Sequence, residues 1–446
     1  MKNSGVEWIG EIPDDWEVKP LTSLFSFGKG LPITKEDLKE NGIPVLSYGQ
    51  IHSKTNTGTN IQNDLLRYVD ESYLVSNPQS LVQRGDFIFA DTSEDLDGCG
   101  NCAYVNFDSK LFAGYHTVIL KSKDCSNNQY LAYLFKTDEW RKQIRAGLVE
   151  VKLYSISRKV LKKSSVILPP KSTQQRIATY LDIKCSKIEE TIQNQQQVIE
   201  KLKAYKHSLI TEAVTGKVKI ENGKACGEYE SYKDSGVEWI GKIPSGWEVK
   251  KLKYIADSFS KGSGITKEEI VINGDTPCVR YGELYTKYDY HFTECQTRTN
   301  LGIIETPKYF SHGDVLFTCT GELVEEIGKS IAYLGNEKCL AGGDIIVLKH
   351  SQDPMFMGFA LDSKYVQGQK SFGKTKLKVV HISSGEIARL LIVLPPKEEQ
   401  KEIADYLDKK CTAIDTAIEQ KQKLIDKLTE YKKSLIYECV TGKKEI

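Results

Sequence analysis

The chain of 446 residues sets 61 Lys and Arg against 60 Asp and Glu, a formal charge of +1. That balance excludes a nucleic-acid binder basic over its whole surface, while leaving room for a local basic face. At roughly 150 residues per domain the length predicts two to four domains, the 40% of hydrophobic residues is enough to bury real cores, and no run approaches the ~20 apolar residues of a membrane span.

The chain opens with Ser4-Gly5-Val6-Glu7-Trp8-Ile9-Gly10, then Ile12-Pro13 and Trp16-Glu17-Val18. Short β-branched or aromatic runs bounded by Gly or Asp predict strands over 86–90 and 115–120, with a helix over about 128–146. A strand at 165–168 stops at Pro169-Pro170, where Ser172-x-x-Gln175 offers a capping box. Apolar residues then fall on heptads. Cys185, Ile192 and Ile199 form one row; Leu181, Ile188, Leu202 and Leu209 form the other, with Gln195 at its centre. This is a coiled-coil signal, and a helix over about 172–213 would run ~60 Å.

After residues 218–234 the pattern restarts. Ser235-Gly236-Val237-Glu238-Trp239-Ile240-Gly241, Ile243-Pro244 and Trp247-Glu248-Val249 repeat the opening segment, with Ser235 in the place of Ser4. Strands are expected at 344–348 and 391–394, with a helix near 354–367. From Leu394-Pro395-Pro396-Lys397 onward the spacing between copies is constant, and 28 of the 50 positions from Leu168 to Lys217 are identical in the second copy. Its rows are Cys411, Ile418 and Ile425 against Leu407, Ile414, Leu428 and Leu435, with Lys421 in the central place. The chain is therefore a tandem duplication. Each seam needs a partner and the other copy matches it, so the two helices are expected to pair antiparallel. Gln195 and Lys421 either pack their stems and reach solvent, or fix the register.

Between the connectors only islands survive. Ser47-Tyr48-Gly49-Gln50 faces Arg280-Tyr281-Gly282-Glu283; Arg84-Gly85-Asp86 faces His312-Gly313-Asp314; Ala113-Gly114 faces Ala341-Gly342. The spacing drifts from one island to the next, which places insertions in loops. Two units thus share a scaffold and carry different variable surfaces.

Catalytic motifs are sparse. Gly368-x4-Gly373-Lys374-Thr375 spells a phosphate loop, but a helix precedes it and a strand follows, the reverse of what phosphate binding needs. Cys99, Cys102, His116 and Cys125 fit no standard zinc spacing. Asp86, Glu94, Asp314 and Glu322 recur between copies and suggest either turn chemistry or a metal-dependent nuclease. Eleven irregularly spaced cysteines and no apolar leader point to reduced thiols in a cytoplasmic chain.

Charge is more informative. Basic residues cluster at Arg141, Lys142, Arg145, Lys152, Arg158, Lys159, Lys162 and Lys163, and again at Lys364, Lys370, Lys374, Lys376, Lys378 and Arg389. Such segments suit phosphate contacts. The candidate DNA-binding residues are Tyr48, Gln50, Arg84, Arg145, Lys152, Arg158 and Lys162 in the first copy. In the second they are Arg280, Tyr281, Glu283, Lys370, Lys374, Lys376 and Lys378.

The Trp-Ile-Gly, Ile-Pro and Trp-Glu-Val openings, the Gly-Asp islands and the Leu-Pro-Pro to Thr-Gly-Lys connectors together closely resemble the specificity subunit of type I restriction-modification systems. The likeness extends over essentially the whole chain. It implies an α+β chain with strand-rich target-recognition domains at 1–168 and 235–393, spacer helices at 169–217 and 394–446, and a linker at 218–234. The spacers would pair as an antiparallel coiled coil with pseudo-twofold symmetry. Each domain would read half of a bipartite, asymmetric duplex target. The resemblance also implies two methyltransferase subunits and restriction/translocase subunits as partners. S-adenosylmethionine, ATP and magnesium would sit on those partners, with no cofactor, metal or catalytic residue in this chain and no membrane contact. Two other readings compete: a self-contained nuclease using the recurring acids, and a duplicated scaffold that binds only protein.

Overall fold

The computed structural model describes residues 1–6, 8–124, 128–148, 153–375 and 379–446. The chain divides into two compact units: Met1–Gln195 with Lys423–Ile446, and Gln196–Gln422.

In the first unit, one antiparallel sheet runs in the order Cys102–Tyr104, Phe87–Ala90, Thr117–Ser122, Phe25–Lys29. A second sheet orders Arg67–Val69, Ile43–Leu46, Leu111–Ala113, Leu81–Val82, with its two central strands parallel. Strand Phe87–Ala90 is buried on both faces. Because successive side chains point opposite ways, it feeds two cores. Phe87 and Phe89 join Phe135 and Trp140, while Ile88 and Ala90 join Leu46 and Ala113.

The second unit repeats this frame. Its first sheet orders Ala256–Lys261, Ile345–His350, Val315–Thr318, Ser330–Tyr333, and adds His291–Phe292 in parallel at the edge. Its second sheet orders Thr297–Thr299, Thr276–Val279, Cys339–Ala341, Tyr309–Phe310, again with a parallel central pair. Both helices expected after these sheets are broken in two. Gln129–Phe135 and Asp138–Arg145 part at Thr137; Pro354–Asp362 and Lys364–Ser371 part at Ser363. A Thr or Ser there leaves the helical conformation to start the next helix.

Each domain is tied at its base. Glu17–Pro20 pairs with Ser165–Leu168, and Glu248–Lys251 pairs with Leu391–Leu394, immediately before each long helix. Those helices are Lys171–Val214 and Lys397–Val440. The expected capping box does not form, because Ser172 already lies inside the helix. Gln174 Nε2 instead donates back to the Pro169 carbonyl at 2.8 Å, and Gln400 repeats this on Pro395 at 2.9 Å. The linker also carries structure: Ile220–Glu221 pairs with Lys224–Ala225, and Tyr232–Asp234 pairs with Lys242–Pro244.

The first unit holds the start of the first long helix with the end of the second; the second unit holds the converse. The helices therefore run antiparallel. Leu181, Ile188, Ile199, Leu407, Ile414 and Ile425 are buried, and Ile192, Leu202, Ile418 and Leu428 are half-buried. Gln195 and Lys421 are half-buried, and Gln195 Oε1 has no hydrogen-bond partner.

One step beyond Ile199 and Ile425, the seam carries lysines that heptad reading passed over. Lys206 pairs with Asp415 at 2.7 Å and also with Asp289; Lys432 pairs with Glu189. In the aligned connectors Lys432 takes the place of Lys206, and Asp415 takes that of Glu189. One ion pair is made twice.

The opening segments are covered the same way. A Cβ on Gly442 would sit 2.5 Å from Pro13, and one on Gly216 would sit 2.3 Å from Pro244, both glycines having positive φ. In the first unit Tyr130 OH also donates to the Val440 carbonyl at 2.8 Å. No helix among the described residues is long and apolar enough to cross a membrane.

Candidate nucleic-acid interface

The parallel strand pair in each second sheet builds a matching rim. In the first unit, Ile43–Leu46 and Leu111–Ala113 end side by side, and Gly114 N–H donates to the Leu46 carbonyl at 2.8 Å. Ser47 then starts the short helix Tyr48–Ile51. Gly114 is required here, because a Cβ would meet Ser47 Oγ at 2.0 Å. In the second unit Gly342 N–H donates to the Val279 carbonyl at 2.8 Å, and Arg280 starts the helix Tyr281–Thr286. The two sequence islands therefore meet in space. Ala113-Gly114 and Ala341-Gly342 survive because each Gly lets the helix start press against its neighbouring strand.

This geometry corrects one assignment, Glu283, and gives a second candidate, Gln50, a capping bond. Gln50 Oε1 accepts from Ser47 N–H at 3.2 Å, so its amide oxygen caps the helix. Glu283 is buried and accepts from Arg280 N–H at 2.9 Å, Thr297 Oγ1 at 2.9 Å and Lys287 Nζ at 2.7 Å. Ser-x-x-Gln in the sequence was a capping signal, and Arg-x-x-Glu uses its acid alike.

What remains at the first rim is aromatic. Tyr48 packs edge-on against Tyr115 and His116 at 5.6 and 5.3 Å. His116 holds a left-handed φ of 54° and pairs with Asp91 at 3.2 Å. At the second rim Tyr281 is 40% exposed and Arg280 is half-buried, both lining a cleft of about 600 Å³.

The basic candidates separate sharply. Arg158 and Lys162, with Lys159 and Lys163, are exposed on and beside the short helix Arg158–Lys162, where Ser157 caps the Val160 N–H. Lys162 Nζ lies 5.7 Å over the Phe27 ring. The helix at the matching position of the second unit, Ser384–Ile387, carries Glu386 and neither Lys nor Arg. Arg84 is exposed and pairs with Asp108 at 3.3 Å.

Arg145 is a correction: its guanidinium bonds the Leu96 and Asp97 carbonyls and Asp138, tying down a loop. Lys374 is another, donating to the His381 carbonyl and pairing with Glu386 at 2.8 Å. Lys370 is the largest. It is 1% exposed, and its three protons go to the Gly328 carbonyl, Ser330 Oγ and the Leu361 carbonyl. Burial pushes its pKa down to about 8, against the pull of Asp362. A lysine so enclosed cannot reach a phosphate. Lys152, Lys376 and Lys378 lie outside the described residues.

The remaining motifs also resolve. Asp86 is buried and accepts from Gln83 and Ser122 N–H at 2.9 and 2.8 Å; Asp314 accepts from Ser311 N–H at 2.9 Å. Burial raises the pKa of both. Glu94 and Glu322 are exposed beyond the far ends of the strands those aspartates begin, so neither acid pair converges. Gly373 follows the helix Lys364–Ser371 instead of leading one, against a phosphate loop. Among the described residues no group of three His, Cys, Asp or Glu could hold a metal ion; Cys125 falls outside them.

Frame and rims define a duplicated recognition protein, with one scaffold presenting two different surfaces. The family model described as the type I restriction modification DNA specificity domain matches residues 13–204 and again 244–429. This chain belongs to that family, as a DNA sequence-specificity subunit of a type I restriction-modification system. It is 21% identical to the EcoKI type I restriction enzyme specificity subunit of Escherichia coli K12, over 97% of this chain and 90% of that one. A provisionally named MjaX specificity subunit of Methanocaldococcus jannaschii is 25% identical, over 98% and 95%. In a solved structure concerned with complex assembly and conformational transition of the type I R-M system, one chain shares the fold. Its TM-score is 0.67 at 16% identity, covering 96% of this chain and 98% of that chain.

Proposed function

We propose that each domain reads one half of a bipartite, asymmetric duplex target through the rim at the end of its parallel strand pair. The observation that carries this is the pairing of one frame with two different rims, Tyr48-Tyr115-His116 in one unit and Arg280-Tyr281 in the other. Identical rims would suit a palindrome; these do not. The exposed Arg158–Lys162 helix supplies sequence-independent phosphate attraction for the first domain.

The chain is read as non-catalytic and cytoplasmic. Two methyltransferase subunits and the restriction/translocase subunits act at the site it selects, and S-adenosylmethionine, ATP and magnesium bind to them. The capped, separated acids Asp86 and Asp314 support this against a nuclease within the chain. Co-expression with the methyltransferase subunits, followed by mapping of methylated bases, should reveal one interrupted, non-palindromic motif. The chain alone should neither methylate nor cut DNA. A palindromic motif, or activity from the isolated chain, would count against the reading.

A further inference from the structure

Strand Thr276–Val279 delivers Arg280 into the cleft it shares with Tyr281, Glu269 and Asp344. Its Nε is buried without a hydrogen-bond partner. The acid three residues on cannot serve it, because Glu283 already accepts from Arg280 N–H, Thr297 and Lys287. Among the described residues no carboxylate forms an ion pair with the guanidinium. A buried guanidinium nitrogen in this state is expensive unless something outside the chain completes it.

The matching position of the first domain repeats the defect with a different residue. Ser47 starts the rim helix there, and its Oγ is also buried without a partner. The likeness stops there: Ser47 is 1% exposed, and only the second domain brings this position to a cleft.

We propose that Arg280 is a specificity-determining residue of the second domain and reads a guanine in the second half-site; this rests on the DNA-reading function proposed above. The planar guanidinium fork matches guanine O6 and N7 in the major groove. The matching Ser47 of the first domain is buried, so this readout belongs to the second domain alone. Glu283 acts as a positioning residue: by capping Arg280 N–H and holding Lys287, it fixes the backbone from which the fork projects.

The test uses the full chain with its methyltransferase subunits and maps methylated sites for wild type, Arg280→Ala, Arg280→Lys and Arg280→Gln. One position of the second half-site should be G in wild type. Arg280→Ala and Arg280→Lys should each lose on the order of 10- to 100-fold of the preference at that position alone, and Arg280→Gln should shift it toward adenine. The first half-site should not change. An unchanged motif in all three variants overturns the assignment while leaving the DNA-reading function standing. So does uniform loss at every position with Arg280→Lys, which would make the residue structural. A wild-type complex with no sequence-specific methylation would instead refute the function itself.

Discussion

The two domains differ inside as well as outside, and the interior difference is the more instructive. Ile144 in the first domain and Lys370 in the second occupy the same turn of matching helices, and both are fully buried. The first is held by apolar packing. The second survives because two carbonyls, a serine hydroxyl and nearby Asp362 surround its ammonium. At the position of Asp362 the first domain has Lys136, whose pKa burial pushes down to about 8. A buried position can thus change its chemistry only when its surroundings change together. The helix ion pair, by contrast, has kept its chemistry in both copies.

The largest expected effect comes from forcing one interior onto the other. Ile144→Lys places an ammonium in an apolar core with a lysine where Asp362 would be, and should cost about 4 kcal/mol. Lys370→Ile removes three buried hydrogen bonds and the positive charge facing Asp362, and should cost about 3 kcal/mol. Denaturant melts of the full chain check both; a neutral Ile144→Lys would show that the interiors are interchangeable.

Acid should separate the domains next. Burial lowers the His350 pKa from the ordinary 6.5 to about 4, with Asp257 and Asp353 pulling the other way. The unfolded chain binds this proton more readily, so stability is fully present above pH 6.5 and falls as pH drops toward 4, by up to about 3 kcal/mol. The corresponding position in the first domain is Ser122, which does not titrate. Hydrogen exchange should show second-domain peptides loosening first; equal loosening would assign acid sensitivity elsewhere.

Smaller effects belong to the helices. Lys206→Met removes a nearly buried cation from two partly exposed carboxylates and should cost about 2 kcal/mol. Lys432→Met has one carboxylate to lose and should cost about 1 kcal/mol. Thermal melts that reverse this order would mean that Asp289 adds nothing to the Lys206 pair. Smallest is the effect of the basic helix on binding: Lys159→Gln or Lys163→Gln should each flatten the salt dependence by up to ~1 unit of slope. An unchanged slope returns that helix to ordinary solvated surface.

The duplication, the long helices and their seams were legible because repeats and heptads are written along the chain. Lys206 and Lys432 were not, since a lysine ends an apolar count and its partners, Asp415 and Glu189, stand on the other helix. Strand order was out of reach for the same reason: Leu46 meets Ala113, and Val279 meets Ala341, only through long-range pairing. Lys370 looked like surface because its enclosing carbonyls, Gly328 and Leu361, come from elsewhere in the sequence. Glu283 was visible as part of a motif but read for the wrong chemistry, since a cap and a base reader use the same polar groups. Arg280 was found because it stands beside Tyr281 at a recurring island, where its guanidinium offers base-edge hydrogen-bonding groups.

The central claim is that two related halves complete each other and read different sequences. A fragment ending at Lys217 tests it most directly. It keeps the first domain and first long helix but loses Lys432 and Gly442, which pair with Glu189 and cover Pro13. Its own Lys206 and Gly216 are their counterparts, so a second copy of the fragment supplies both. Co-expressed with the methyltransferase subunits, the fragment should dimerise and direct methylation to an interrupted palindrome built twice from the first half-site. A monomeric fragment, or methylation still at the full chain's asymmetric sequence, would contradict the account.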